Sequence, residues 1–205
     1  MGLNADAIRE GLDAIALREP GIARALAIAG YPEPRIRPTG YVTMLRTIVG
    51  QQVSVAAASS IWNKLEAALG SDLPPQRILT ADYDELRACG LSRQKQGYVR
   101  SLCELVTSGA LDLDSLSADD EEAIAELTKI RGIGRWSAEI YLLFAEGRPD
   151  IWPAGDLAVQ AGLQKLLGLE ERPAEKHTRA LAETWRPYRG AAAIFTWHCY
   201  SNPAL

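Results

Sequence analysis

Apolar residues recur at three- and four-residue intervals along almost the whole chain, and glycine, proline or a capping residue separates one such run from the next. No segment alternates apolar and polar positions over the length of a strand. The pattern predicts an all-α protein of roughly ten helices, with helical segments over 4–18, 21–29, 41–49, 54–69, 81–89, 92–108, 118–130, 135–146, 157–167, 174–185 and 188–200. Thr80, Ser92, Ser117 and Asp156 are the expected N-caps, and Gly70, Gly90, Gly109, Gly147 and Gly168 the expected stops. The stretch from Gly30 to Gly40 is too rich in proline for a helix and is expected to cross between two lobes.

One helix junction stands apart from the others. Residues Leu127 to Glu139 read LTKIRGIGRWSAE, a helix end, a Gly-x-Gly turn at Gly132 and Gly134, and a helix start. Glycines in such a turn admit positive φ and let an anion approach the backbone, while the helix starting near Arg135 directs its unpaired N–H groups at that anion. The same residues also suit a tight helix-helix connection, and small Ser137 and Ala138 would let the two helices pack closely. A dinucleotide site fits less well, because Ser137 stands where a third glycine belongs and the preceding segment is helical. A short way downstream Asp156 opens another helix, where it reads either as a plain N-cap or as a carboxylate aimed outward by helix amides.

Composition narrows the options. The 205 residues suffice for a real core and two lobes within a single unit. The formal net charge is −4 and the sequence pI about 5.3, so any nucleic-acid contact must come from a local patch rather than the overall field. Candidates for that patch are Arg93, Lys95 and Arg100, then Lys129, Arg131, Arg135 and Arg148 around the turn; taken singly, each also suits a solvated helix face. Cys89, Cys103 and Cys199 have neither zinc nor iron-sulfur spacing, and no signal peptide or long apolar run is evident. The expectation is a cytoplasmic protein in a reducing compartment, with no membrane association.

The segment LTKIRGIGRWSAEIYLLF resembles the helix-hairpin-helix of the DNA glycosylase superfamily that includes endonuclease III, and more narrowly the 3-methyladenine DNA glycosylase II family. Three further segments match in order: LRTIVGQQVSVAAASSIW (45–62), WPAGDLAVQ (152–160) and WRPYRGAAAIFTWHCY (185–200). The resemblance covers most of the chain from about Tyr41 onward. It implies a two-lobed fold with an active cleft between lobes, dividing about 36–134 from 1–35 plus 135–205, and without the N-terminal β domain of larger relatives.

The resemblance also implies the chemistry. Asp156 falls at the family's catalytic carboxylate, where a fixed anion would stabilise the cationic sugar formed as an N-glycosidic bond breaks. At about 4 Å and an effective dielectric near 20 this attraction is on the order of 4 kcal/mol, or roughly a thousandfold in rate. Asp150 is the nearest competitor but does not match the family position. Bifunctional members carry a lysine nucleophile two residues beyond the second glycine, and Trp136 stands there, implying a monofunctional enzyme without lyase activity. Gln52 falls at the intercalating wedge that fills the gap left by a flipped base, with Gln51 able to share the role. Trp136 and Trp197 resemble pocket tryptophans suited to cationic alkylated purines, and two other pocket aromatics of some relatives fall on Ile140 and Leu157. Gly132, Gly134, Arg131, Arg135, Ser137 and Lys129 are the expected phosphate contacts. Arg131 replaces a proline common in the family, which either loosens the turn or adds a contact. The backbone carbonyls of Thr128, Ile130 and Ile133 match a family site for Na+ or K+; no other cofactor is expected. Trp185, Arg186 and Tyr188 are expected to brace the last helices, with Arg186 or Arg189 alternatively reaching DNA. The implied partner is double-stranded DNA bearing an alkylated base, chiefly 3-methyladenine with 7-methylguanine as a second candidate, bound by a monomer. The alternative from another class is a non-catalytic helix-hairpin-helix DNA-binding module; an oxidised-base or mismatch glycosylase fits poorly without the lysine or a four-cysteine cluster.

Overall fold

The computed structural model describes residues 2–202. Of these residues 64% are helical, and no strand occurs among them. In order the helices are α1 (Ala5–Ala16), α2 (Pro20–Ala29), α3 (Tyr41–Gly50), α4 (Val55–Leu69), α5 (Pro75–Thr80), α6 (Tyr83–Ala88), α7 (Arg93–Thr107), α8 (Asp120–Thr128), α9 (Arg135–Tyr141), α10 (Leu157–Leu167), α11 (Glu175–Leu181) and α12 (Arg189–Tyr200). A π-helical turn, Leu142–Glu146, continues α9, and a 3-10 turn, Ala182–Trp185, follows α11.

Two of the expected caps are displaced. Thr80 closes α5 instead of opening the next helix, because its hydroxyl bonds back to the Gln76 carbonyl at 3.0 Å. Asp82 caps α6, accepting from Glu85 N at 2.8 Å. The short α5 escaped the periodicity reading, although Pro75 at its first turn, after Pro74, is a start signal. Ser117 likewise yields to Asp119, whose Oδ1 takes the N–H groups of Glu121 and Glu122 at 2.9 and 3.0 Å. Ser92 and Asp156 cap as expected, and all five stop glycines have positive φ.

The chain forms two compact units, Met1–Pro38 with Glu139–Leu205, and Thr39–Ala138. The second crossing point therefore lies inside α9 rather than before it. Ala138 N donates to Gly134 O at 3.1 Å, which ties the first turn of α9 to the hairpin that precedes it.

In the unit built from the chain ends, α12 packs on α1, α2 and α10. Its residues from Gly190 to Phe195 are all buried, as the small-residue run GAAA followed by Ile194 and Phe195 permits. A Cβ at Gly162 would stand 2.6 Å from Thr196 on α12, so the missing side chain is what lets α10 lie so close. In the other unit, α7 packs on α3, α5 and α6, and α3 on α4. Val99, Leu102 and Cys103 of α7 are fully buried there with Leu45 and Ile48 of α3.

Candidate active site

The hairpin is built from the end of α8. The backbone closes through Lys129 N to Glu126 O, Ile130 N to Leu127 O and Ile133 N to Ile130 O, and Ile130 and Ile133 are buried beneath it. Gly132 has φ +82, whereas Gly134 does not lie in the left-handed region, so the two glycines act differently. A Cβ on Gly132 would fall 2.3 to 2.5 Å from ring atoms of Tyr98, while one on Gly134 would meet nothing within 4 Å. Gly132 thus lets the turn lie against α7. Gly134 presents open backbone immediately ahead of α9, the arrangement an anion at a helix N-terminus requires. Ser101 of α7 fixes the turn further, its hydroxyl oxygen accepting from Arg131 N at 3.1 Å.

The basic residues divide into two groups. Lys129 and Arg131 are exposed on the turn. Arg135 forms a two-point ion pair with Glu121, at 2.7 and 2.5 Å, so that carboxylate competes with a phosphate for its guanidinium. Lys95 donates to Val49 O at 2.7 Å, and burial lowers its pKa below the usual lysine range. Arg100 spans the carbonyls of Leu79 and Ala81, and Arg148 pairs with Glu146 at 2.7 Å. Lys95, Arg100 and Arg148 therefore serve the protein's own backbone and carboxylates, while Arg93 stays exposed over the Tyr83 ring, 5.9 Å from its centroid, and remains in the expected patch with Lys129 and Arg131. Ser137 is half-buried at the start of α9.

The loop between α3 and α4 carries the expected wedge. Gln52 is exposed and has φ +54, a conformation that costs any residue with a Cβ. Gln51 does not share its position: its Nε2 donates to Gly132 O at 2.9 Å, so its amide is spent on the hairpin. Val53 and Val55, flanking Ser54, are 39% and 85% exposed, leaving an apolar tip beside Gln52.

Asp156 caps α10. Its Oδ1 accepts from Ala158 N at 2.8 Å, Val159 N at 2.9 Å and the indole Nε1–H of Trp197 at 3.1 Å. Two helix amides and one side chain thus fix the plane of the carboxylate. The Trp197 ring is held in turn by Phe144 of the π-helical turn, with ring centroids 5.6 Å apart. Asp150 is otherwise engaged. Arg189, itself buried, meets it at 2.9 Å through both Nε and Nη2, and Arg186 pairs with it as well, so it is a buttress for the start of α12. Arg186 and Arg189 also bind Glu183. The expectation that either arginine reaches DNA gives way to this network, most clearly for Arg189.

Among the other expected base contacts, Trp136 and Leu157 are 49% and 63% exposed, but Ile140 is only 9% exposed and offers a base almost no surface. Trp185 is buried edge-on to Trp152, which donates to Thr178 O, consistent with bracing. The three cysteines are buried and free of disulfides, and burial pushes the thiols of Cys103 and Cys199 up to about 11 and about 12. Sequence reasoning missed Tyr98, Ser101 and Phe144. The first two had a signal: Lys95, Tyr98 and Ser101 recur at three-residue spacing, one face of the helix read over 92–108. Phe144 had none beyond apolarity.

Among the described residues, a glycine hairpin ahead of one helix N-terminus and a carboxylate held at another match what the resemblance to helix-hairpin-helix DNA glycosylases implies. The family model for the HhH-GPD superfamily of base excision DNA repair proteins matches residues 45–187. The chain belongs to this superfamily and, within it, to the 3-methyladenine DNA glycosylase family. It is 33% identical over 161 residues to DNA-3-methyladenine glycosylase 1 of Schizosaccharomyces pombe, covering 77% of this chain and 71% of that one. Its fold resembles that of a DNA-3-methyladenine glycosidase from Bacillus halodurans, with TM-score 0.77 and 33% identity, covering 83% and 79% of the two chains. The S. pombe 3-methyladenine DNA glycosylase in complex with abasic DNA matches with TM-score 0.77 and 29% identity over 92% of this chain and 95% of that one.

Proposed function

We propose that this protein is a monofunctional DNA glycosylase that turns an alkylated purine out of duplex DNA and hydrolyses its N-glycosidic bond. The observation that carries the reading is Asp156, with one carboxylate oxygen held by two helix amides and the Trp197 indole. As the C1′–N bond breaks, the base leaves with the bonding electrons and positive charge develops on the sugar. An anion already fixed in place stabilises that charge without reorganising. Water then adds at C1′ and gives its proton to solvent or the departed base. Alkylation at N3 or N7 makes the purine a cationic leaving group, so the bond is weakened before the enzyme acts.

Trp136 occupies the place of a lysine nucleophile, so no covalent enzyme-sugar adduct forms and the strand stays intact. Its exposed indole face, and the side chain of Leu157, are the proposed contacts for the flipped base, with cation-π attraction adding roughly 0.5 to 2 kcal/mol. Gln52 is the proposed wedge. Gly134, the first amides of α9, Lys129 and Arg131 are the proposed phosphate grip. A Na+ or K+ ion at the carbonyls of Thr128, Ile130 and Ile133 would suit their hard oxygen donors; Ile130 O would share it with Ile133 N, which it already accepts at 3.0 Å. The proposed partner is chromosomal double-stranded DNA, bound by one copy of the chain. No helix among the described residues is long and apolar enough to cross a membrane.

The deciding experiment incubates the protein with duplexes bearing single 3-methyladenine, 7-methylguanine, hypoxanthine or 1-methyladenine residues, with and without later alkali. Cleavage of 3-methyladenine duplexes only after alkali is expected. Cleavage before alkali would overturn the monofunctional assignment. No abasic site on any alkylated duplex would leave a DNA-binding module without catalysis.

A further inference from the structure

The wedge loop and the hairpin are distant in sequence but joined by side chains. Gln51 Nε2 donates to Gly132 O at 2.9 Å, which places residue 51 against residue 132. Helix α7 holds both segments: Lys95 Nζ donates to Val49 O at 2.7 Å, just ahead of the loop, Tyr98 underlies Gly132, and Ser101 Oγ accepts from Arg131 N. Within the loop, Gln52 has φ +54. A conformation so unfavourable for a residue with a Cβ persists only where its surroundings over-determine it. The immediate surroundings are the Gln51 side-chain bond and the Gln51 N to Ile48 O bond at 3.2 Å.

We propose that Gln51 is a positioning residue that couples the wedge to the phosphate grip. By clamping the Gly132 carbonyl, it fixes Gln52 in its left-handed conformation and sets the wedge in register with the phosphate held at the hairpin. The hairpin then chooses the nucleotide and the loop is already aligned to enter beside it. Gln51 itself does not enter the duplex, since its amide is engaged on the protein. The proposal rests on the reading of Gln52 as the wedge.

The experiment measures unstacking without chemistry. A duplex carries an uncleavable tetrahydrofuran abasic analogue with 2-aminopurine beside it, and fluorescence enhancement is read at saturating protein for Gln51→Ala, Gln51→Met, Gln52→Ala and the Gln51→Ala/Gln52→Ala pair. Loss of one hydrogen bond of ordinary strength should lower the enhancement about fivefold in both Gln51 variants. Methionine fills the same volume without a donor and should do no better than alanine. The double variant should be no worse than Gln52→Ala alone, because Gln51 acts only through Gln52. The unfolding midpoint should fall by no more than the loss of that one bond accounts for, and the salt dependence of binding should remain as in the parent, since the hairpin contacts are kept. A Gln51→Met protein with full enhancement would mean that Gln51 is a filler in its own right and would overturn the proposal. So would independent, multiplying effects at 51 and 52, or no effect at 51. If Gln52→Ala alone leaves the signal intact, the wedge reading fails and this proposal with it. Base release is not measured, so failure here is distinct from failure of the glycosylase assignment.

Discussion

Replacing the two hairpin glycines by alanine should separate stability from DNA binding. At Gly132 the new Cβ would lie 2.3, 2.4 and 2.5 Å from Cδ2, Cε2 and Cγ of Tyr98, at a backbone φ of +82. The left-handed conformation costs about 1–2 kcal/mol for a residue with a Cβ, and forcing a methyl into filled space about 1–3 kcal/mol more. Gly132→Ala should therefore lose roughly 2–5 kcal/mol, a large part of the ~5–15 kcal/mol typical of a folded protein. At Gly134 neither penalty applies. Its carbonyl accepts the first helical bond of α9, from Ala138 N, so alanine there gives up only a modest N-cap preference and should cost below about 1 kcal/mol. The same methyl would stand over the open backbone where phosphate is proposed to sit. Losing one hydrogen bond to a charged group, about 1.5–3 kcal/mol, corresponds to roughly 10- to 150-fold weaker binding. Urea unfolding measures the first quantity, and fluorescence anisotropy on an abasic-analogue duplex at fixed salt the second. Gly132→Ala combined with Tyr98→Ala should recover the clash but not the backbone strain, giving a coupling of about 1–3 kcal/mol. A Gly132→Ala protein as stable as the parent would refute the close approach to Tyr98. Unchanged binding by Gly134→Ala would refute the phosphate clip.

Asp156→Asn keeps a cap for α10 but removes the charge; single-turnover base release should fall about a thousandfold, while anisotropy shows affinity within a fewfold of the parent. An unchanged rate would remove Asp156 from catalysis. Trp197→Phe retains an aromatic ring next to Phe144 but deletes the Nε1–H donor to the carboxylate, a bond to a charged group of about 1.5–3 kcal/mol; a drop in rate of about tenfold or more is expected with little change in the unfolding midpoint, and a parental rate would show the bond to be idle. Lys129→Ala and Arg131→Ala should each flatten the log-log salt dependence of binding by about 0.9, whereas Arg100→Ala should lower stability and leave the slope alone. A slope change in Arg100→Ala would mean that its two carbonyl contacts are surrendered to DNA.

What the sequence made legible follows the physics of each feature. Long amphipathic helices such as α4 and α7 announce themselves by period, and a helix stop at glycine by the need for positive φ. The six-residue α5 is too short to show a period, and only its leading prolines betray it. Asp156 was readable as a cap, which its bonds from Ala158 N and Val159 N bear out; the catalytic role proposed for it asks for the same residue at the same place. The Trp197 bond to it was not, since it depends on how closely α10 and α12 approach, a distance set by Gly162 against Thr196. As letters, Gln52 matches the wedge position and Gln51 beside it suits a share in the same role. Their difference comes from backbone direction: at residue 51 the chain is still in ordinary conformation and the amide turns toward Gly132, while one residue on, positive φ turns the next side chain outward.

The acidic balance of the chain, −4 overall, sits less uneasily with DNA binding once the basic residues are followed to their partners. Lys95 and Arg100 satisfy backbone carbonyls; Arg148 and Arg189 satisfy carboxylates. The ion-paired Arg148 and Arg189 add little to a long-range field, whereas Lys95 and Arg100 keep their charge but have their donors engaged on carbonyls. The proposed phosphate grip is short-ranged: open backbone at Gly134, the N-terminal amides of α9, and Lys129 and Arg131 beside them. Amides and helix dipoles act within a turn's length and carry no net charge, so they hold a phosphate in one geometry without drawing the whole duplex toward the protein. For a DNA glycosylase that must pass over undamaged DNA, weak attraction at a distance with the proposed short-range grip at one nucleotide would favour release from the wrong sites, and would leave discrimination to the proposed wedge and base contacts.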